Sequence, residues 1–144
     1  MSAPAASTDP PTLDELREEF RLMEDWEERC EYLIDLGLDL PGLPDDAKTE
    51  PNKVHGCQSN VWLVTEDRDD GTLGVYADSD AMLVKGLTIV LRSLYHGKTP
   101  AEILALDVKP VFAELGLDRN LSTARKNGFG GMVERVRGEA SERK

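Results

Sequence analysis

Val61-Trp62-Leu63-Val64-Thr65-Glu66-Asp67-Arg68-Asp69-Asp70-Gly71-Thr72-Leu73-Gly74-Val75-Tyr76-Ala77 is the stretch whose reading decides the fold. Val61 and Leu63 alternate with Trp62 and Val64, a period-two pattern of β-branched and aromatic residues that predicts a strand, taken from Val54 to Thr65. The polar run Glu66 to Gly71 ends in Asp-Gly, a hairpin signal. Leu73, Val75 and Ala77 then alternate with Gly74 and Tyr76, which predicts a second strand antiparallel to the first.

Upstream of this hairpin the pattern changes to helical. Thr12 and Glu15 form a capping-box pair, followed by Leu13, Leu16, Phe20 and Met23 at helical spacing. Asp25 is the expected cap of a second helix, with Glu28 at the reciprocal position and Gly37 as its stop. Its apolar face carries Trp26, Cys30, Leu33 and Ile34. Residues 38–53, rich in proline and glycine, read as a loop.

Downstream, Asp78-Ser79-Asp80 is expected to open a long helix with the stripe Val84, Leu87, Val90, Leu91 and Leu94, closed by Gly97. Thr99 and Glu102 make another capping box with Pro100 at the first helical position. Asp107 caps a short helix to Leu115 that stops at Gly116. A last helix begins near Ser122 and carries Phe129, Met132, Val133 and Val136. Gly128, Gly130 and Gly131 weaken that helix by about 1 kcal/mol each relative to Ala. Helices, a small antiparallel sheet, then helices make an α+β fold. One domain is expected over residues 12–138, between a disordered tail at 1–11 and a short tail at 139–144.

Composition narrows the function classes. With 144 residues, 40% hydrophobic and 31% charged, the chain has the makeup of a globular domain. No apolar run approaches the ~18 residues of a membrane span. The start has neither a basic region nor an apolar one of the export type, which points to the cytoplasm. A net charge of −11 repels phosphate backbones, and no basic aromatic patch offsets it, so nucleic acid is not an expected partner. The acidity serves solubility or steers the chain toward a basic partner surface. The Arg and Lys residues near the carboxyl end alternate with Glu134, Glu139 and Glu142, the mix of a solvated helix face.

Chemistry rests on few residues. Two cysteines, Cys30 and Cys57, and two histidines, His55 and His96, fall at unrelated spacings, so neither a zinc site nor a dithiol is expected. Cys30 lies on the apolar stripe of its helix and reads as packing. His96 beside Gly97 suits a helix carboxyl end as a cation. Cys57 follows Gly56 in a polar stretch of His55, Gln58, Ser59 and Asn60 at the mouth of the first strand. A glycine there permits close approach by a partner, and a loop-tip thiol is a candidate nucleophile; an incidental loop cysteine fits the local pattern equally well. His55, two residues away in what reads as an extended segment, is either a helper of the thiol or an exposed loop histidine.

The run Val54-His55-Gly56-Cys57-Gln58-Ser59-Asn60-Val61-Trp62 resembles the hallmark of the SufE/CsdE family of sulfur acceptors. Three further landmarks resemble that family in order: Asp78-Ser79-Asp80-Ala81 with Val84-Lys85-Gly86-Leu87; Tyr95, Gly97, Thr99 and Pro100; and Leu121-Ser122 with Arg125, Asn127, Gly128 and Met132. The resemblance implies the α+β fold shared with IscU-type scaffolds. It also implies that Cys57 takes sulfur as a persulfide from a pyridoxal-phosphate cysteine desulfurase of the SufS/CsdA kind. The sulfur is then passed toward an iron–sulfur scaffold. By position, Asp80 and Arg125 would sit near the cysteine loop, with His55, Gln58 and Ser59 as its polar neighbours. Arg125 would favour the thiolate, pair with Asp80, or both.

No cofactor is implied for this chain, since pyridoxal phosphate belongs to the partner. Thr123-Ala124 stands where the family often has Pro-Ser, and Cys30 matches no family cysteine. A persulfide needs shelter, for which Val61, Trp62 and Leu63 are the expected wall. Other classes remain: an activator that carries no sulfur, a cluster scaffold, or a redox thiol with Cys30 as its resolving partner. Monomer and homodimer are both open.

Overall fold

The hairpin forms as its alternation requires. In the computed structural model, which describes residues 10–40, 42–55 and 59–143, β1 (Val61–Asp67) and β2 (Leu73–Ser79) pair antiparallel, from Val61↔Ser79 to Asp67↔Leu73. Arg68 N–H donates to Thr72 O at 2.9 Å to close the turn, and Gly71 adopts a φ of +84° that a side chain would resist. The Asp70 carboxylate accepts from the Thr72 N–H and hydroxyl, and that pairing, led by the hydroxyl, holds its carboxyl below the ordinary range.

The strand starts later than the sequence suggests. Val54 N–H donates to Val61 O at 2.8 Å, and Lys53 bridges to Trp62. Val54 and Val61 are therefore hydrogen-bonded partners, not parts of one continuous strand. Apolar patterning could not separate these cases, because Val54 is buried in the core just as a strand residue would be.

Behind the sheet runs α3 (Met82–Tyr95), the core helix. Its stripe of five is buried, but so is every residue from Gly86 to Tyr95. It is enclosed by β2, by α1 (Leu13–Arg21), by α2 (Trp26–Asp39) and by α7 (Thr123–Glu142). The polar residues on it have partners within the fold: Thr88 hydroxyl donates to Lys85 O, the single Ser93 hydroxyl proton is shared between Ile89 O and Pro11 O, and Arg92 Nε donates to Val75 O at 2.6 Å. Asp78 and Ser79 belong to β2, so α3 opens at Met82 and not at Asp78.

Gly37 does not stop α2. It is buried inside the helix, where a Cβ would lie 3.1 Å from Lys85 O; on α3, a Cβ at Gly86 would lie 3.1 Å from the Leu33 carbonyl carbon. These two glycines let the helices approach at backbone distance. Asp25 is at the expected cap position but makes no side-chain cap bond.

The Thr12 and Thr99 capping boxes form at α1 and at α4 (Pro100–Ala105). Asp107 caps α5 (Val108–Glu114) through Lys109 N–H. A one-turn helix absent from the sequence reading, α6 (Leu117–Asn120), follows the left-handed Gly116 and leads into Ser122, the cap of α7.

α7 forms despite its glycines because Phe129, Met132, Val133, Val136 and Ala140 are buried. Each such large side chain contributes about 1.5–3 kcal/mol of burial, more than a glycine costs. It continues through Glu142, beyond the boundary expected at 138, since Ala140 is buried and Arg143 bonds Glu139 and Asp67. At the other end Pro11 O accepts from the Ser93 hydroxyl at 2.7 Å; of the tail expected over residues 1–11, residues 1–9 lie outside the described residues. Among the described residues no helix is long and apolar enough to cross a membrane.

Candidate functional site

Cys57 and Gln58, with Gly56, lie outside the described residues, so the site is defined by what holds the segments on either side of them. Asn60, the residue before β1, is fixed by the β2–α3 junction. Its backbone N–H donates to Asp80 Oδ1 at 3.1 Å and its side-chain amide to Asp80 Oδ2 at 2.8 Å. Its carbonyl accepts from the Ser79 hydroxyl at 2.7 Å. Ser59 is fixed by α7, where Arg125 Nη1 donates to the Ser59 hydroxyl at 3.2 Å.

Arg125 and Asp80 are thus brought to the same short segment, but each has its own partner on it, and no Asp80–Arg125 ion pair is present among the described residues. The pairing anticipated between them is replaced by two separate braces.

The segment before the cysteine is held by a residue the sequence did not single out. Arg135 donates through Nη2 to Pro51 O at 2.6 Å and through Nη1 to Lys53 O at 3.2 Å. Arg125 and Arg135 stand ten residues apart on α7, about 15 Å along its axis, so one helix grips both flanks of the cysteine segment. The sequence showed Arg135 only as one charge in a mixed run. Two arginines on one helix after a glycine-cysteine loop was the available signal.

His55 does not lie in an extended segment. It sits in a turn, is 70% exposed, and places Nε2 3.2 Å from Glu50 Oε2. At the far end of α3, Arg68 Nη1 lies 3.2 Å from His96 Nε2, and His96 Nδ1 lies 3.0 Å from Val75 N.

A small cavity lies between α3 and α7 beside Ser59, walled by Val84, Leu87, Gly128, Phe129 and Met132. Of the residues expected to wall the thiol, Val61 and Leu63 are buried in the core and Trp62 lies under the Lys48 ammonium at 5.6 Å; Cys57 itself lies outside the described residues.

Beneath the Asp80 junction sits Asp78, also missed. Burial alone would raise its carboxyl, but the Lys85 ammonium at 2.5 Å and the N–H groups of Ser79 and Leu43 outweigh it and hold the carboxyl below its ordinary range. Cys30 is half-buried on α2, and burial, helped by Glu27, pushes its thiol up, which suits packing better than nucleophilic chemistry. No group of three metal-ligating side chains occurs among the described residues.

A family model described as SufE, an Fe-S metabolism associated domain, matches residues 14–140. The chain belongs to the SufE family. A SufE-like protein of Rhizobium etli is 43% identical over 135 residues, covering 92% of this chain and 91% of the relative. A SufE-like protein of Rhizobium meliloti is 38% identical over 135 residues, covering 92% and 96%. The solution structure of a hypothetical protein from Thermus thermophilus superposes with a TM-score of 0.73 at 23% identity, over 94% of this chain and 97% of that one. That likeness shows the fold, the α+β architecture of the SufE family.

Proposed function

We propose that this SufE-family chain takes sulfur onto Cys57 from the persulfide of a cysteine desulfurase and delivers it to iron–sulfur cluster assembly, stimulating the desulfurase as it does so. Family membership supports the setting in Fe–S metabolism. The observation that carries the site is the bracing of both flanks of the Cys57 segment, Pro51–Lys53 by Arg135 and Ser59–Asn60 by Arg125 and Asp80. A thiol that must enter another protein's active site needs a short reach from a fixed base, and this arrangement supplies the base.

In the transfer, the Cys57 thiolate attacks the outer sulfur of the donor R–S–SH. The new bond joins Cys57 Sγ to that sulfur, the donor S–S bond breaks, and the electron pair leaves on the desulfurase thiolate. The oxidation level is conserved, so no external oxidant is required. Arg125, the cation on Ser59, favours the thiolate form of a nearby cysteine. The apolar side chains beside Ser59, those of Val84, Leu87, Phe129 and Met132, are the wall proposed to shelter the resting thiol. Pyridoxal phosphate belongs to the desulfurase, the scaffold receives the sulfur, and the cytoplasm is the proposed compartment.

Intact mass spectrometry after incubation with a desulfurase and cysteine tests the proposal. A reducible gain of about 32 Da, mapped to Cys57, is expected for a persulfide. Cys57→Ser should abolish both the gain and the stimulation. If Cys57→Ser stimulates the desulfurase at the wild-type level, the chain is an activator that carries no sulfur.

A further inference from the structure

The net charge of the chain is carried by its first third. Residues 51–144 hold 13 Asp and Glu and 13 Lys and Arg, so the whole formal charge of −11 falls within residues 1–50. Residues 10–40, which supply α1 and α2, set eleven Asp and Glu against three Arg. Local pairing does not cancel this excess. Arg17 serves Asp14 and Glu114, Arg21 serves Glu18, and Arg29 is turned to the Phe20 and Met23 carbonyls. Even if each arginine neutralised one carboxylate of this segment, eight would remain.

This acidic surface is not uniformly polar. Between α1 and α2 runs a groove of about 720 Å3. Its floor is Tyr32, Leu36 and Leu40, an i, i+4, i+8 stripe about 12 Å long at the helical rise. Each of the three is half-buried, packed against the core on one side and open to the groove on the other. The facing wall is Asp14, Glu15, Glu18 and Glu19 of α1, and among the described residues no Lys or Arg lines the groove. The carboxylates bear on the floor: burial, then Glu19 and Glu15, push the Tyr32 phenol up. Glu15 is held by its capping box with Thr12, and the Glu19 carboxylate has no ion pair among the described residues.

An apolar floor two turns long beneath a row of carboxylates is complementary to a helix with apolar residues at i, i+4 and i+7 and Lys or Arg on its flanks. Covering the open sides of Tyr32, Leu36 and Leu40 supplies affinity, and the carboxylates select a cationic partner over an acidic one. A second copy presenting this same face would meet like charge, and residues 1–9 contain no Lys or Arg.

We infer that the α1–α2 groove docks a basic amphipathic helix of a partner protein. The groove uses none of the residues that flank Cys57, so this inference is independent of the sulfur-transfer reading.

NMR titration of the 15N-labelled full chain with a synthetic amphipathic helix of Leu and Lys, and separately with its Leu and Glu counterpart, tests the groove. Saturable amide shifts at Glu19, Tyr32, Leu36 and Leu40 are expected with the lysine peptide and not with the glutamate peptide. Glu18→Gln/Glu19→Gln should bind the lysine peptide about fivefold more weakly, the scale of two exposed ion pairs. Leu36→Ser should weaken it about tenfold through lost apolar contact. The glutamine pair leaves the core untouched and so tests the groove even without Leu36→Ser. Glu27→Gln/Glu28→Gln makes the same charge change at exposed residues outside the groove and should stay within about twofold of wild type. Shifts that never saturate, saturable binding of the glutamate peptide, or equal weakening by the two glutamine pairs would overturn the inference. So would peptide-free shifts at Tyr32 and Leu36 that follow chain concentration, which assign the groove to a second copy. Shifts there on removal of residues 1–9 would overturn it too, by assigning the groove to the chain's own tail.

Discussion

The Asp80 carboxylate grips Asn60 twice, accepting its backbone N–H at 3.1 Å and its side-chain amide at 2.8 Å. The contact follows from register: Val61 pairs with Ser79, so the residues just outside that pair, Asn60 and Asp80, meet at the end of the sheet. Because Asp80 is exposed, the contact adds little to global stability, but it orders the residue that leads back to Cys57. Asp80→Ala should leave the melting temperature within about 2–4 °C of wild type, the shift of ~1 kcal/mol in a domain this size. Hydrogen exchange at the Asn60 amide should quicken at least tenfold. Unchanged exchange there would show that the junction does not order the loop.

Arg125 and Ser59 should act through each other. Ser59→Ala removes the acceptor of the 3.2 Å bond and Arg125→Gln replaces its charged donor with a shorter, neutral amide. A bond contributing ~1 kcal/mol corresponds to about a fivefold slowing of persulfide loading for each variant. The double variant should lose no more than Arg125→Gln alone. Arg125→Gln should also move the pH–rate profile of loading upward, since losing a cation raises the pKa of a neighbouring thiol. Additive losses would mean the two residues serve the reaction separately.

Asp78 gives the fold an acid-sensitive joint. It ties Lys85 of α3, Lys48 and the Leu43 backbone to the end of β2. Its folded pKa lies below the ~3.9 of an unfolded aspartate. The stability it adds is therefore present above about pH 4 and is lost as pH falls through the depressed folded value. Asp78→Asn should cost about 1–3 kcal/mol at pH 7, the range for a hydrogen bond to a charged group. In urea unfolding the gap between wild type and variant should be flat from pH 5 to 7 and close below pH 4. A gap independent of pH down to 3 would rule out this linkage.

Cys30 is the control thiol. It is half-buried, its thiol is pushed up by burial, and it sits on a helix face. Cys30→Ala should load sulfur at the wild-type rate and lose at most about 1 kcal/mol of stability. A slowed reaction would bring Cys30 back as a resolving cysteine.

Periodicity and turn chemistry made most of the frame legible. The Thr12 and Thr99 capping boxes, the Asp70-Gly71 turn and the Ser122 start of α7 each rest on a local interaction that a few neighbouring residues complete. What was misplaced depends on partners far along the chain. Asp78 reads as a helix opener, yet beside the nearby Ser79 N–H and Lys85 its partners are Lys48 and the Leu43 N–H, both 30 or more residues away. Gly37 reads as a stop because nothing local reveals that Lys85 packs against it. At the site, Cys57, Asp80 and Arg125 were marked by motif. Arg135, which holds Pro51 and Lys53 from 82 or more residues away, carries no motif at all.

The glycines of the helices should respond to alanine with opposite signs. At Gly86 a Cβ would meet the carbonyl carbon of Leu33 at 3.1 Å and Ile34 N at 3.2 Å. Those atoms are backbone of α2 and cannot swing aside, so the helices must separate. Overpacking of this kind costs about 1–3 kcal/mol, against a gain of ~1 kcal/mol in helix propensity. Gly86→Ala should therefore lower the melting temperature by several degrees. Gly130 is also mid-helix, but a Cβ there meets nothing within 4 Å. Only the propensity gain remains, so Gly130→Ala should raise the melting temperature by about 2–4 °C per kcal/mol. Calorimetry on the two variants decides the matter: if both move the same way, helix propensity and not the α2–α3 approach governs Gly86.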